Sequence, residues 1–172
     1  MALRKRIALA TAVLTLGSGL AAATPAQAVT YPSFADTHGE CLEGRNTDVG
    51  PLAAWPCDNG SSAQDWEVEY RNRDETDNDV VKLRNVRHNR CLDTHAGVRG
   101  DEVFNHSCNT GDYQLWEVFK NSNRTWTLKS WGAWTRQGLH LCLSSSPAGP
   151  GFVPRLNTCN RNSRYQQWKR LP

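Results

Sequence analysis

Short apolar segments alternate with clusters of turn-forming residues along most of the chain, and this pattern predicts strands. Typical segments are Val80-Val81-Lys82-Leu83 and Trp126-Thr127-Leu128, and Asn, Asp, Gly and Ser are frequent between such segments. Few windows place apolar residues three and four positions apart, as an amphipathic helix requires. The pattern therefore predicts an all-β protein.

The first 28 residues follow a different pattern. A basic start at residues 4–6 precedes an apolar stretch over residues 7–20, and Ala26-Gln27-Ala28 follows. This is the layout of a secretory signal peptide, which predicts cleavage after Ala28. The stretch is too short and too rich in small residues for a membrane span. We therefore expect a secreted, extracellular domain over residues 29–172.

The net charge of the chain without its leader indicates which partners to expect. The whole chain carries 20 Lys and Arg against 17 Asp and Glu, and three of the basic residues lie in the leader, which has no acid. The remaining chain is formally neutral. Nucleic acids and anionic membranes need a concentrated positive face, so neither is an expected partner.

The six cysteines reveal an internal threefold repeat. Successive cysteines pair off at separations of 16, 17 and 17 residues, and equivalent cysteines lie 50 or 51 residues apart. In an exported chain such cysteines are expected to form disulfides. Although six cysteines allow 15 pairings, the repeat favours Cys41–Cys57, Cys91–Cys108 and Cys142–Cys159.

Other residues repeat in step with the cysteines. Leu follows each first cysteine, and a Gln-x-Trp triplet follows each second one: Gln64-Asp65-Trp66, Gln114-Leu115-Trp116 and Gln166-Gln167-Trp168. The units cover residues 29–78, 79–128 and 129–172 approximately, and units of this size bury their apolar faces against one another. The third unit ends soon after Trp168, so Val29–Thr37 is expected to supply its missing strand and to close the ring.

Together these repeats resemble the ricin B-type lectin domain, a disulfide-stapled β-trefoil, across residues 29–172. The resemblance implies a carbohydrate-binding module with up to three sugar sites and no catalysis. Relatives contact sugar through an Asp two positions after the first cysteine, a ring two positions before the second, and the Gln of Gln-x-Trp. Such groups suit a pyranose, because a carboxylate accepts from neighbouring hydroxyls and a ring covers the C–H face.

The second repeat matches these positions best, with Asp93 as the acid, His106 at the ring position and Gln114 as the amide. Tyr113 stands where relatives usually have Asn. We expect this repeat to carry the main sugar site.

The first repeat keeps the pattern in part, and the third repeat loses it. Glu43 replaces the acid in the first repeat, Gln64 is the amide, and Trp55 is either a ligand platform or a core residue. The third repeat has Ser144 and Asn157 at the acid and ring positions, so its site is expected to be lost.

The remaining tryptophans divide into two groups. Repetition of the three Gln-x-Trp tryptophans predicts that they pack around the pseudo-threefold axis. Trp131 is expected in the core, at the end of a predicted strand over Trp126–Trp131. Trp134 lies in a Gly-rich insertion, from Gly132 to Gly138, that has no counterpart in the other repeats. It is expected either to cap the barrel end, which we favour, or to add a contact surface.

Three functional hypotheses follow from these observations. The preferred one is a secreted lectin that binds carbohydrate through its second repeat. The substituted acids in the other repeats favour a β-trefoil that binds protein, as a protease inhibitor or a toxin-delivery subunit does. A small secreted hydrolase is the third, because acids are plentiful. No nucleophile elbow, zinc-binding His motif or phosphate-binding Gly loop occurs, so no metal or cofactor is expected.

Overall fold

A computed structural model describes residues 30–46, 51–71 and 76–172. The predicted leader, residues 1–28, lies outside the described residues. The described residues form twelve strands and one α-helix: β1 (Ser33–Ala35), β2 (Glu40–Glu43), β3 (Ala53–Pro56), β4 (Trp66–Arg71), β5 (Asp79–Asn85), β6 (Arg90–Asp93), β7 (Phe104–Ser107), β8 (Trp116–Lys120), β9 (Thr125–Ser130), α1 (Trp131–Gln137), β10 (Leu141–Ser144), β11 (Arg155–Thr158) and β12 (Trp168–Leu171). Short 3₁₀ turns span Asp112–Gln114 and Arg164–Gln166.

Six antiparallel strands close into a barrel. Strand β1 pairs with β12, and the ladder continues through β9, β8 and β5 to β4. The ring closes where the Trp66 N–H, at the start of β4, donates to the Pro32 carbonyl beside β1, at 3.0 Å. Strand β1 lies within Val29–Thr37, the segment predicted to close the ring. A sheet that closes into a barrel has no edge strand with unpaired backbone groups.

Three hairpins, β2–β3, β6–β7 and β10–β11, occupy one end of the barrel and meet around the pseudo-threefold axis. The Leu52 N–H donates to the Val103 carbonyl at 2.9 Å, and the Val103 N–H donates to the Pro154 carbonyl at 3.0 Å. Proline has no N–H, so Pro154 cannot complete the cycle. The third contact runs instead from the Gly151 N–H to the Ala54 carbonyl, at 2.7 Å.

The three repeated tryptophans form the centre of the core, as predicted. Each is fully buried, and each indole Nε1–H donates to the carbonyl of the Leu that follows the first cysteine of its own repeat. The donors and acceptors are Trp66 to Leu42 at 3.1 Å, Trp116 to Leu92 at 3.2 Å, and Trp168 to Leu143 at 3.1 Å. Each indole thus fills the core and satisfies a buried carbonyl.

All three predicted disulfides are present. Cys41–Cys57, Cys91–Cys108 and Cys142–Cys159 each join the first strand of a hairpin to the residue just after its second strand, with Cα atoms 4.9, 5.0 and 4.9 Å apart. Disulfides that close loops of this length stabilise the fold by roughly 3 kcal/mol each in the chain-entropy model. The fold is the disulfide-stapled β-trefoil that the repeat predicts.

Helix α1 departs from the predicted structure. The predicted strand over Trp126–Trp131 ends at Ser130, and the Gly-rich insertion is helical. The Ser130 hydroxyl caps the helix by accepting from the Ala133 N–H at 3.2 Å, and Gly138 ends it with a left-handed φ of 69°. These are ordinary start and stop signals for a helix, and a search for amphipathic periodicity overlooks so short an element.

The two tryptophans of α1 pack against one another. Trp131 is buried, as predicted, and Trp134 meets it edge to face with ring centroids 4.9 Å apart. The Lys129 ammonium lies 4.2 Å from the centroid of the Trp134 ring. Both rings belong with Val80 and Leu115 to a small hydrophobic cluster that is separate from the main core, and the capping role of Trp134 stays a prediction.

Candidate functional site

In the second repeat, Asp93 lies at the end of β6 and is 8% exposed. Its Oδ1 accepts from the backbone N–H of His95 at 2.7 Å, and its Oδ2 accepts from Nε2 of Gln114 at 2.8 Å. Each oxygen retains a further acceptor position, because a carboxylate oxygen has two lone pairs. The carboxylate is therefore held rigidly and can still accept hydrogen bonds.

Gln114 lies beneath Asp93 and is fully buried. Its second Nε2 hydrogen goes to the Ser107 carbonyl at 2.9 Å, and its Oε1 accepts from the Asn109 N–H at 2.8 Å. Since both N–H groups have partners inside the protein, this side chain orients Asp93 from below.

A cleft of about 310 Å³ opens above the carboxylate. It is lined by Asp93, His95, His106, Asn109, Gly111 and Tyr113. The volume falls at the small end of the range for ligand pockets, which suits one sugar ring. His106 is exposed in the second half of β7, where its ring can be covered by a ligand.

Tyr113 owes its position to the helix of the third repeat. Its ring packs so closely on Gly132 that a Cβ there would lie 2.3 Å from the Tyr113 Cδ1 atom. Gly97 has a φ of 67°, and a Cβ there would lie 2.9 Å from the same ring. The insertion in the third repeat thus packs against Tyr113, one of the residues that line the second-repeat cleft.

The first repeat preserves the same framework with a longer acid. Gln64 Nε2 donates to Glu43 Oε2 at 3.1 Å and to the Pro56 carbonyl at 3.2 Å. Trp55 is 39% exposed, which shows that it is not a core residue. Its ring lies against Gly151 of the third repeat, where a Cβ would be 3.2 Å away. The indole thus presents its free surface to solvent.

The third repeat keeps the framework without an acid. Gln166 Nε2 donates to Ser144 Oγ at 3.0 Å, and its Oε1 accepts from the Asn160 N–H at 2.7 Å. A cleft of about 520 Å³ is nevertheless present here, larger than the cleft above Asp93. Substitution of the acid has therefore not closed the third cleft.

The sequence predictions missed His95, Asn109 and Gly111 in the second-repeat cleft. The repeat could have indicated Asn109, because Asp58, Asn109 and Asn160 each follow the second cysteine of a repeat. The backbone N–H of each donates to the Gln of its own repeat, and its Oδ1 accepts from the N–H two residues later. This turn supports the Gln that supports the acid.

The structure adds two observations on other kinds of site. No group of three or more His, Cys, Asp or Glu side chains in the described part of the chain is arranged to hold a metal ion. Across residues 30–46, 51–71 and 76–172, no helix has the length and apolar character needed to cross a membrane.

Each repeat of this β-trefoil therefore places a buried Gln beneath an acid or a hydroxyl. The profile of the ricin-type beta-trefoil lectin domain matches residues 34–168, and the chain belongs to this family. A search among curated proteins finds no match.

Solved structures share the fold at low sequence identity. The designed threefold-symmetric protein ThreeFoil is 18% identical, with a TM-score of 0.69, and the alignment covers 83% of this chain and 98% of that one. The Haemophilus ducreyi cytolethal distending toxin is 16% identical, with a TM-score of 0.64 and 86% of each chain covered. The Polyporus squamosus lectin is 17% identical, with a TM-score of 0.60, 82% of this chain covered and 48% of that one. At these identities the likeness shows the fold alone.

Proposed function

We propose that this protein is secreted and binds carbohydrate without transforming it, mainly through the second repeat. The observation that carries the proposal is the Asp93 carboxylate, held by His95 and Gln114 at the floor of an open cleft. The leader expected from the sequence and the three disulfides support secretion. Membership of a family of carbohydrate-binding modules supports the class of ligand.

Binding follows from the groups that face the cleft. Asp93 accepts hydrogen bonds from two neighbouring hydroxyls of a pyranose, one at each oxygen. The ring of His106 or Tyr113 covers the apolar C–H face. Glu43 and Trp55, supported by Gln64, form a weaker second site in the first repeat. There the longer acid moves the ligand outward.

Replacement of Asp93 tests the proposal. A hydrogen bond to a charged acceptor contributes roughly 1.5–3 kcal/mol, so Asp93→Asn should weaken retention on immobilised polysaccharide by about 10- to 100-fold. Both oxygens of Asp93 accept from N–H groups, so Asn leaves one internal donor without an acceptor. Asp93→Ser keeps an acceptor for the buried Gln114, as Ser144 does for Gln166 at the same position in the third repeat, and leaves only the N–H of the exposed His95 to water.

Matched variants make the measurement specific. Glu43→Gln should reduce retention less than Asp93→Ser does. Asp79→Asn, which changes an exposed acid paired with Lys120, should leave retention unchanged. Thermal melting of each variant separates loss of binding from loss of fold.

Three outcomes would contradict the proposal. Unchanged retention in the Asp93→Ser, Glu43→Gln double variant places the sites elsewhere. A wild-type protein that retains no glycan favours the protein-binding β-trefoil, and release of shortened glycan products favours a hydrolase.

A further inference from the structure

The acidic and basic side chains of this chain are unevenly distributed. All 17 Asp and Glu residues occur at or before Glu117, whereas residues 118–172 contain nine Lys and Arg residues and no acid. Four of the nine pair with acids of residues 79–117: Lys120 with Asp79, Lys129 with Glu117, Arg136 with Asp112 and Arg155 with Glu102. The other five form no ion pair with a described acid: Arg124, Arg161, Arg164, Lys169 and Arg170. The neutral sum of charges beyond the leader therefore conceals a basic segment.

Arg161 of this basic segment lines a polar cleft of about 360 Å³ between the β8–β9 turn and the loop that precedes the second 3₁₀ turn. The described residues that line the cleft include no acid: Asn121, Ser122, Asn123, Arg161, Asn162 and Gln167. The cleft shares no lining residue with the clefts above Asp93 and Ser144. It is therefore separate from the positions at which a sugar is expected.

Two contacts orient the Arg161 guanidinium at this cleft. Its Cζ atom lies 5.0 Å from the centroid of the Phe119 ring, and its Nε–H donates to Asn121 Oδ1 at 3.4 Å. Neither contact uses the two terminal NH₂ groups, and no described acceptor binds them. A guanidinium fork matches the oxygen atoms of an oxyanion. Arg161 is therefore held in place and still available to an anion.

Two amide side chains of the cleft have occupied acceptors and spare donors. Gln167 Oε1 accepts from Asn123 Nδ2 at 2.9 Å, and Asn123 Oδ1 accepts from the Thr125 hydroxyl at 2.6 Å. Gln167 Nε2 donates one hydrogen to the Arg161 carbonyl at 2.8 Å. Because an amide nitrogen has two hydrogens, Asn123 and Gln167 each keep one N–H for a ligand. The cleft therefore favours a ligand that accepts hydrogen bonds.

Lys169 adds a second positive charge on the same face of the sheet. Side chains two positions apart along an extended strand project to the same side, so the exposed Lys169 lies on the side of Gln167, which lines the cleft. Its cross-strand partner is Thr125, the residue that bonds to Asn123. The ammonium group therefore raises the positive potential at the cleft.

Two acids lie on the other side of Arg161. Asp77 and Asp79 line an adjoining cleft to which Arg161 also contributes. Asp79 is paired with Lys120 at 2.6 Å, so Asp77 is the neighbour that competes with an anion for Arg161.

We propose that this cleft binds a singly charged tetrahedral oxyanion, the group that a phosphodiester or a sulfate ester presents. The Arg161 fork donates to its terminal oxygens, and the free N–H groups of Asn123 and Gln167 donate to their remaining lone pairs. These donors come from three separate elements, which suits oxygens arranged around a tetrahedral centre better than the planar oxygens of a carboxylate. The site does not depend on the proposed carbohydrate function, because it shares no lining residue with the sugar clefts.

The test is an NMR titration of the ¹⁵N-labelled protein, residues 29–172, with methyl sulfate and with dimethyl phosphate at constant ionic strength. Acetate serves as a planar probe of the same charge. We expect amide shifts at residues 121–124, 160–163 and 167 with both esters, and weaker binding of acetate. Tighter binding of dimethyl phosphate assigns the site to phosphodiesters, and tighter binding of methyl sulfate assigns it to sulfate esters. Asp93→Ser should leave these shifts and the affinity unchanged.

Charge variants report on the contacts themselves. Arg161→Gln should weaken binding of both esters roughly tenfold, as loss of charged hydrogen bonds implies. Arg161→Lys should weaken it less, because it keeps the charge and loses only the fork. Lys169→Gln should cost about twofold, and Asp77→Asn should tighten binding. Arg99→Gln is the matched control: it removes the same charge from an exposed arginine outside the cleft and should change nothing.

Three results would overturn the inference. The first is the absence of shifts at residues 121–124 and 160–163 with both esters. The second is equal weakening by Arg161→Gln and Arg99→Gln, which would mean general screening rather than a site. The third is acetate binding as tight as that of the esters, which would exclude selection of a tetrahedral group. Thermal melting of each variant separates loss of binding from loss of fold.

Discussion

The buried ion pair between Glu117 and Lys129 joins β8 to β9 beside helix α1. Lys129 Nζ lies 2.6 Å from Glu117 Oε2, and the two side chains are 7% and 5% exposed. Glu117 Oε1 also accepts from Thr76 at 2.6 Å and from Asn78 at 2.8 Å. Glu117→Gln keeps the size of this side chain, removes its charge and replaces one of its two acceptor oxygens with an NH₂ group.

The expected loss is large because the lysine stays buried without a counter-ion. Removal of one partner from a buried pair typically costs about 3–5 kcal/mol. The Trp134 ring, 4.2 Å from the ammonium, still provides a cation–π contact, which places the loss at the low end of this range. We therefore expect the free energy of unfolding to fall by about 3 kcal/mol.

Urea unfolding at neutral pH measures this loss. With an m-value of about 2 kcal/mol/M, the midpoint should fall by about 1.5 M. Asp79→Asn is the matched control, because it breaks the exposed pair with Lys120 and should cost less than about 1 kcal/mol. The double variant Glu117→Gln, Lys129→Met should recover most of the loss, since it removes both buried charges.

The pH dependence provides a separate check. Burial on its own would raise the pKa of Glu117, but hydrogen bonds from Lys129, Thr76 and Asn78, together with the lysine charge, hold this pKa below its ordinary value of 4.5. A carboxyl with a lowered pKa in the folded state contributes stability that is present above its unfolded pKa and is lost as the pH falls through its folded pKa. The difference between wild type and Glu117→Gln should therefore stay constant from pH 8 to about 5.5 and shrink below about 4.5.

Two results would refute this reasoning. A loss of less than about 1 kcal/mol at neutral pH would mean that the pair is effectively solvated. A double variant that is less stable than Glu117→Gln would mean that the lysine itself, rather than its unpaired charge, stabilises the fold.

The remaining predictions concern packing and closure. Gly132→Ala should displace the Tyr113 ring, lower the free energy of unfolding by about 1–3 kcal/mol and weaken glycan retention several-fold. Gly60→Ala is the control, because the nearest neighbour of a Cβ there would lie at 3.4 Å. It should change neither the calorimetric stability nor the retention. Removal of residues 29–37 deletes strand β1 with the fully buried Phe34, and it should lower the melting temperature by at least about 10 °C. A truncated protein that melts at the same temperature as residues 29–172 would show that β1 does not stabilise the barrel.

The fold could be predicted from the sequence because its structural unit occurs three times. Three equivalent copies of the Cys-Leu and Gln-x-Trp landmarks limit the pairings of the cysteines and require that the tryptophans share one environment, and the structure confirms both predictions. The positions of Glu43, Asp93 and Ser144 over their glutamines follow from the same equivalence. Helix α1 was not predicted as a helix because it occurs once and its seven residues are too few for a periodic signal.

The sequence by itself determined the threefold β architecture, its disulfides and the positions of Glu43, Asp93 and Ser144, because these features are local to a repeat and recur with its period. Only the tertiary structure decided what surrounds each of these three residues. Tyr113 is placed by Gly132, from the next repeat, and Trp55 lies against Gly151, nearly a hundred residues away in the chain. The cleft above Ser144 likewise depends on how the loop of residues 147–153 packs. Contacts between repeats differ from one interface to the next, so the period of the sequence does not specify them.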